Sequence, residues 1–141
     1  GPGGGNRAGE PLTAVADTNV LAALMLPSAE NEAVDSLFRL DPDWRLPPLW
    51  RSEFRHVLLK VVRAGILEPA QAVALWVKAV ERFALQEEPV DGQRVLELAI
   101  QSGCSSYDAE FVVLAEQLGC RLLAFDRKLL QLFPAVTLQP S

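Results

Sequence analysis

Residues 12–24 read LTAVADTNVLAAL. Leu12–Ala16 is a short apolar run that breaks at Asp17, and Thr18 and Asn19 follow it. Such a run reads as a buried strand, and its end carries three residue types suited to cap the helix that comes next. A second stretch repeats the grammar near the other end of the chain. Arg121–Phe125 is again apolar, ends on Asp126, and leads into a short helical segment, Asp126–Leu132. Two apolar strands each finishing on an aspartate decide the reading of everything between them.

Between these anchors, helical patterns alternate with short strand-like runs. Ser28–Leu40 places Ala33, Leu37 and Leu40 on one face with Val34 and Phe38 beside it, and Asp41-Pro42-Asp43 ends it. Trp44–Leu46 reads as a second strand. Leu49–Ala64 carries Phe54, Val57, Leu58, Val61 and Val62 on one stripe, followed by Gly65. Pro69–Ala84, Asp91–Ser102 and Ser106–Leu118 are further helices, the last two closed by Gly103 and Gly119. Ala84–Val90 is expected as an edge strand and Ala135–Leu138 as a final strand. This order predicts an α/β fold, with a mainly parallel central sheet flanked by helices. Residues 12–141 form a single domain, since one domain takes ~100–200 residues. Gly1–Pro11, GPGGGNRAGEP, reads as a disordered N-terminal segment, with Gly1–Gly5 set aside as an expression remnant.

Composition narrows the function. The 141 residues are 50% hydrophobic and 22% charged, a globular balance. The longest apolar run, Val20–Pro27, is far below the ~20 residues of a membrane span, and no secretion signal opens the chain. No membrane partner and a cytoplasmic setting are therefore expected. Two cysteines and one histidine supply neither a disulfide framework nor a four-ligand zinc site. The single histidine also rules out a metal-free ribonuclease built on a histidine pair, and a di-iron site needs two Glu-x-x-His motifs where only Glu53-x-x-His56 is present. A net charge of −5 argues against non-specific coating of nucleic acid.

It does not argue against chemistry on nucleic acid, because metal-binding carboxylates are themselves acidic. Ligands gather beyond the carboxyl ends of strands in parallel α/β sheets. Asp17 and Asp126 end strands there, while Glu53 and Asp108 lie in the first turns of helices, which start at the same edge. Taken singly, each acid is equally a helix cap or a dipole-favoured first-turn charge. Taken together, four converging carboxylates repel, and a divalent cation offsets that repulsion. Oxygen-only ligands favour Mg²⁺ or Mn²⁺, one or two ions, over zinc. Such ions activate water and clamp a phosphodiester. Ser105, three residues before Asp108, and Asn19, two after Asp17, are placed to support the acids or to cap and turn the chain.

These segments, VADTNVLAAL (15–24), RSEFRHVLLKVVRAGIL (51–67), SSYDAEFVVLAEQLGC (105–120) and LLAFDRKLL (122–130), resemble the PIN-domain family, and within it the VapC-type toxin ribonucleases of toxin–antitoxin pairs. Asp17 and Asn19 match the family's Asp-x-Asn opening, Glu53 its mid-chain glutamate, Ser105 and Asp108 its hydroxyl-x-x-Asp, and Asp126 its strand-terminal acid. One departure is Ala124, where similar sequences carry Thr or Ser two residues before the last acid. The resemblance implies a PIN-like three-layer fold and a metal-dependent endoribonuclease with Asp17, Glu53, Asp108 and Asp126 as catalytic metal ligands. It also implies a homodimer and a cognate antitoxin that covers the site.

Backbone contacts to an RNA substrate are expected from Arg45, Arg51, Arg55, Lys60 and Arg63, with Arg127 and Lys128, next to Asp126, better placed for phosphate. The plainer reading of the helical ones is a solvated basic face. Trp44, Trp50, Trp76 and Tyr107 are read as packing residues and His56 as a partly exposed helix residue. A partner is expected in a groove between the Ser28–Leu40 and Leu49–Ala64 helices. Two rivals stand beside the ribonuclease: a catalytically silent PIN-like protein-binding module, and a receiver-type phosphate regulator. The second lacks both the mid-chain strand aspartate and the later lysine that it needs.

Overall fold

In the computed structural model, which describes residues 13–26 and 31–141, the first strand settles the layering. β1, Thr13–Ala16, is buried on both faces. Successive strand side chains point to opposite sides. Ala14 and Ala16 accordingly join one apolar cluster and Val15 the other. β3, Arg121–Leu123, divides in the same way, with Leu123 in the first cluster and Leu122 in the second.

β2, Asp43–Arg45, and β4, Thr137–Leu138, complete a sheet of order β2-β1-β3-β4 in which every pairing is parallel. Helices α1 (Thr18–Met25), α2 (Asn31–Leu40), α3 (Trp50–Arg63) and α4 (Pro69–Phe83) cover one face. Helices α5 (Gly92–Ser102), α6 (Ser106–Leu118) and α7 (Arg127–Leu132) cover the other. The result is the expected three-layer α/β fold with a parallel central sheet. Its sheet order reverses direction at β1, which opens a crevice between the carboxyl ends of β1 and β3. No helix among the described residues is long and apolar enough to cross a membrane.

Aromatic packing accounts for much of the first cluster. Trp44 and Trp50 are fully buried, with the Phe38 and Trp44 rings edge to face at 4.9 Å and Trp50 5.9 Å from Trp76. Edge and tilted contacts of this kind add to burial rather than merely filling space. The tryptophans therefore serve as packing residues, as the sequence suggested. On the far side, α6 is buried along most of its length, from Ala109 to Ala115, and Gly119 closes it at φ 64°, a conformation that favours glycine.

Ala84–Val90 is not an edge strand. Ala84–Gln86 is a 3₁₀ turn continuing α4, and among the described residues a single isolated bridge, Leu46 to Glu87, is the segment's ladder contact with the sheet. The Glu88 amide donates to the Leu46 carbonyl at 2.9 Å, and the next rung would need the N–H of position 48, which is Pro48 and has none. β2 begins one residue earlier than expected, at Asp43. The expected disorder of 1–11 and the expected helix start at Ser28 lie outside the described residues.

The groove expected between α2 and α3 is also displaced. The stripe of α3 is turned onto α1 and α4, while α2 packs against α1 and sets its Phe38 ring 6.1 Å from Phe83 of α4. An apolar groove consequently runs between α1, α2 and α4, lined by Leu24, Met25, Phe38 and Phe83. A second lies between α3 and α4, along Leu58, Val62, Val73 and Trp76.

Candidate active site

The carboxyl end of β1 is held in place by its backbone: the Asp17 amide donates to the Leu123 carbonyl at 3.0 Å. Asp17 then caps α1, its Oδ1 accepting from the Thr18 amide at 2.8 Å. The carboxylate is only 7% exposed, although it sits at the floor of an open cavity of about 420 Å³. That cavity occupies the crevice where the sheet order reverses. Asp17, Glu53, Asp108 and Asp126 all line it, with Asn19 alongside. The sequence placed these residues at strand ends and helix starts; the fold brings all four acids to one wall-to-wall site.

Each acid is positioned differently. Glu53 projects from the first turn of α3, and its Oε1 accepts from the Thr18 hydroxyl at 2.6 Å, bridging α1 to α3. Asp108 stands in the first turn of α6, where the Ser105 hydroxyl caps the helix by accepting from the Asp108 amide at 3.0 Å. Asp126 caps α7, accepting from the Leu129 amide at 3.0 Å. Capping therefore holds Asp126 without a hydroxyl at position 124. Ala124 is itself fully buried in the cluster of α5, α6 and α7 and does not line the cavity.

The electrostatics follow from burial and crowding. Desolvation pushes the Asp17 carboxyl up to about 7, against the pull of the Thr18 amide and with help from the charges of Asp108, Glu53 and Asp126. Glu53 is raised by burial and by Asp108, with the Thr18 hydroxyl opposing. Asp108 is raised by burial and by Asp126, while Ser105 and the Lys128 ammonium lower it. Glu110 is raised as well, by burial and then by the charge of Glu53. The donor set is oxygen only and short of counter-charge, which suits a hard divalent cation such as Mg²⁺ or Mn²⁺. Among the described residues, however, no three His, Cys, Asp or Glu side chains are gathered closely enough to hold an ion as they stand. The four acids line one cavity without closing on one point.

The basic residues divide sharply. Arg51 is committed to Glu87, its Nε 2.7 Å from Oε1, and Arg45 to Asp43 at 2.8 Å and Glu88 at 2.7 Å. The Arg55 guanidinium lies over the Trp76 ring, 4.8 Å from its centroid. Neither Arg51 nor Arg55 lines the cavity. Arg127 and Lys128 are exposed at the start of α7 next to Asp126, and Lys128 is near enough to act on Asp108.

Several cavity residues do more than the sequence assigned them, and Ser52 had no assigned role. Thr18 appeared there only as a possible cap, yet its hydroxyl holds Glu53. His56, Lys60 and Ser52 line the α3 wall, and Tyr107, expected to pack, is 60% exposed on the α6 side. The signal for the α3 set was available: Ser52, His56 and Lys60 recur every four residues, and that spacing shares a face with Glu53.

This architecture has relatives. The PIN domain profile matches residues 14–132. Ribonuclease VapC3 of Pyrobaculum aerophilum is 31% identical over 128 residues, covering 86% of this chain and 95% of the relative. The crystal structure of PAE2754 from the same organism superposes with a TM-score of 0.73 at 23% identity, over 92% of each chain. A toxin–antitoxin complex from Klebsiella pneumoniae gives 0.61 at 17% identity, over 91% of this chain and 98% of that one. The family match spans the cavity and all four acids, and the VapC3 relative is covered over nearly its whole length; the chain belongs to the PIN-domain family.

Proposed function

We propose that this protein is a metal-dependent endoribonuclease, the toxin of a toxin–antitoxin pair. The observation that carries the reading is the meeting of Asp17, Glu53, Asp108 and Asp126 in one cavity at the sheet's switch point, with Asp17 buried and deprived of counter-charge. Its VapC3 relative supports the ribonuclease part.

Asp17, Glu53 and Asp108 would hold Mg²⁺ or Mn²⁺, with Asp126 completing the set or serving a second ion. When bound, such a cation supplies an activated water and offsets charge on the scissile phosphate and the leaving oxygen. The chain's own groups do the positioning. Asp17 anchors the floor through the β1–β3 hydrogen bond. Thr18 fixes the rotamer of Glu53, and Ser105 keeps the first turn of α6 in place beneath Asp108. The buried floor also limits the water around the reacting phosphate, which strengthens every charge interaction there.

An antitoxin is the proposed partner, seated on the apolar groove of Leu24, Met25, Phe38 and Phe83. The Klebsiella complex supports this pairing of fold and partner. Exposed Leu96 and Ile100, one turn apart on α5, support a homodimer through that helix. The proposed setting is cytoplasmic.

The second reading, a silent PIN-like binding module, is favoured by the carboxylates' not being gathered on one point. Calorimetric titration of Mn²⁺ into metal-stripped protein, followed by RNA cleavage assays, separates the two. Saturable binding lost in both Asp17→Asn and Asp108→Asn, together with Mn²⁺-dependent cleavage, is the expected result. Binding indifferent to both substitutions and no cleavage would overturn the ribonuclease.

A further inference from the structure

The cavity is larger than its acids. Beyond Glu53, the α3 wall continues through His56 and Val57 to Lys60, and Tyr107 faces it from the first turn of α6. We propose that Lys60 and Tyr107, with His56 between Glu53 and Lys60 on the same wall, form a subsite for one unpaired nucleotide adjacent to the scissile phosphate. The proposal rests on the ribonuclease reading and adds to it the residues that seat the neighbouring nucleotide.

Charge is the first argument. Arg45, Arg51 and Arg55 are held by Asp43, Glu87, Glu88 and Trp76. Among the residues lining the cavity, Lys60 is the one Lys or Arg, and no hydrogen bond or ion pair engages its ammonium among the described residues. A long, strongly hydrated side chain left unpaired beside an acidic floor is suited to meet an anion that enters from solvent. Lys60 lies seven residues from Glu53, two helical turns or about 10 Å along the axis. It therefore reaches a neighbouring phosphate rather than the one under attack.

Shape is the second argument. Tyr107 is 60% exposed, an unusual position for a ring read from sequence as packing, and its hydroxyl has no hydrogen-bond partner among the described residues. Exposed aromatic faces beside a backbone-binding cation are how proteins seat unpaired bases, because every base offers a π-face. The floor supplies the third argument. Asp17 is 7% exposed, so a phosphate must descend into a cavity of about 420 Å³ to reach it. That volume lies in the range of small-ligand sites. A flexible single strand can lower one phosphate into it, whereas a duplex presents its phosphates on a rigid, broad cylinder.

The test measures binding apart from cleavage. A short fluorescein-labelled RNA without internal pairing is titrated by fluorescence anisotropy, with Ca²⁺ as the oxygen-seeking cation, at several salt concentrations. Tyr107→Ala is expected to weaken binding roughly 5- to 150-fold with an unchanged salt slope, the signature of lost stacking, and Tyr107→Phe to restore it. Lys60→Gln is expected to reduce the salt slope by about 0.7, the mark of one lost phosphate contact. The same RNA annealed to its complement is expected to compete poorly. Both side chains are exposed, so neither change threatens the fold.

If both variants bind as the wild type does while the wild type cleaves RNA with Mn²⁺, the subsite is overturned and the ribonuclease stands. If the wild type binds with these dependences yet cleaves nothing, the ribonuclease falls and the nucleotide subsite stands. Equal competition by the duplex would overturn the unpaired-strand part, and no RNA binding at all would overturn both.

Discussion

The two walls of the cavity are built on different principles. On one side, Asp17 and Thr18 are buried, at 7% and 5% exposed, and the Thr18 hydroxyl holds half-buried Glu53 across two helices. On the other, half-buried Asp108 stands in the first turn of α6 behind the Ser105 cap, and exposed Asp126 is itself the cap of α7. The first wall is set by packing before any ligand arrives. The second is set by short-range hydrogen bonds and can adjust as a ligand binds. The buried wall thus bears the energetic cost of the site, and the capped wall completes it.

The sharpest way to break this contrast is Asp17→Asn. Removing an outer partner of a metal site typically costs 10–100-fold, so loss of a ligand at the floor is expected to lower Mn²⁺-dependent cleavage by more than about a hundredfold. The same change should stabilise the metal-free protein. A carboxyl raised in the folded state disfavours folding once ionised; that penalty is full above its folded value near 7 and absent below its unfolded value near 3.8. The gain from Asn is therefore expected to reach the order of 2–4 kcal/mol at pH 8 and to vanish toward pH 4. Thermal melts in chelator across that range check it, and a variant less stable than wild type at pH 8 would sink the buried-wall account.

Proton competition is the next effect. Because Asp17 titrates near 7, Mn²⁺ affinity is expected to rise as pH goes from 5 to 7 and then to level off, with protons released on binding below 7. Calorimetry in two buffers of different ionisation heat measures that release. A pH-independent affinity would place the ion on the capped wall instead.

Thr18→Val keeps the shape of the buried residue and removes the hydroxyl that orients Glu53. Mn²⁺ affinity and cleavage are each expected to fall roughly 10–100-fold, the range for outer partners of metal ligands. Ser105→Ala, on the other wall, should do less: about 1 kcal/mol of stability from the lost cap, and under tenfold in cleavage. Melting temperature and single-turnover rates measure both. An equal loss in the two variants would erase the distinction between the walls.

Much of this site was legible before the fold. Asp17 and Asp126 close apolar runs, and Glu53 and Asp108 open apolar-striped helices, so local pattern alone brought all four to one sheet edge. The caps at Asp17, Ser105 and Asp126 were legible for the same reason, since a cap satisfies amides within three residues of itself. Ala84–Val90 was misread because so short a segment fits an edge strand as readily as a turn that trades a ladder for ion pairs to Arg45 and Arg51. The basic face of α3 was misplaced on similar grounds: the sequence shows that Arg51 and Arg55 share a helix face, not that Glu87 and Trp76 occupy it.

By itself, the sequence determined an α/β fold with a mainly parallel sheet, the order of its helices and the edge where four acids meet. Each of these rests on periodicity and capping, which act over a few residues. Only the tertiary structure decided that Thr18 would hold Glu53, thirty-five residues away. It alone decided that Asp17 would be buried deeply enough to titrate near 7, and that Lys60 rather than Arg51 or Arg55 would face the cavity. Those outcomes depend on how α1, α3 and α4 pack against one another, and the charge a side chain carries does not reveal which neighbour will claim it.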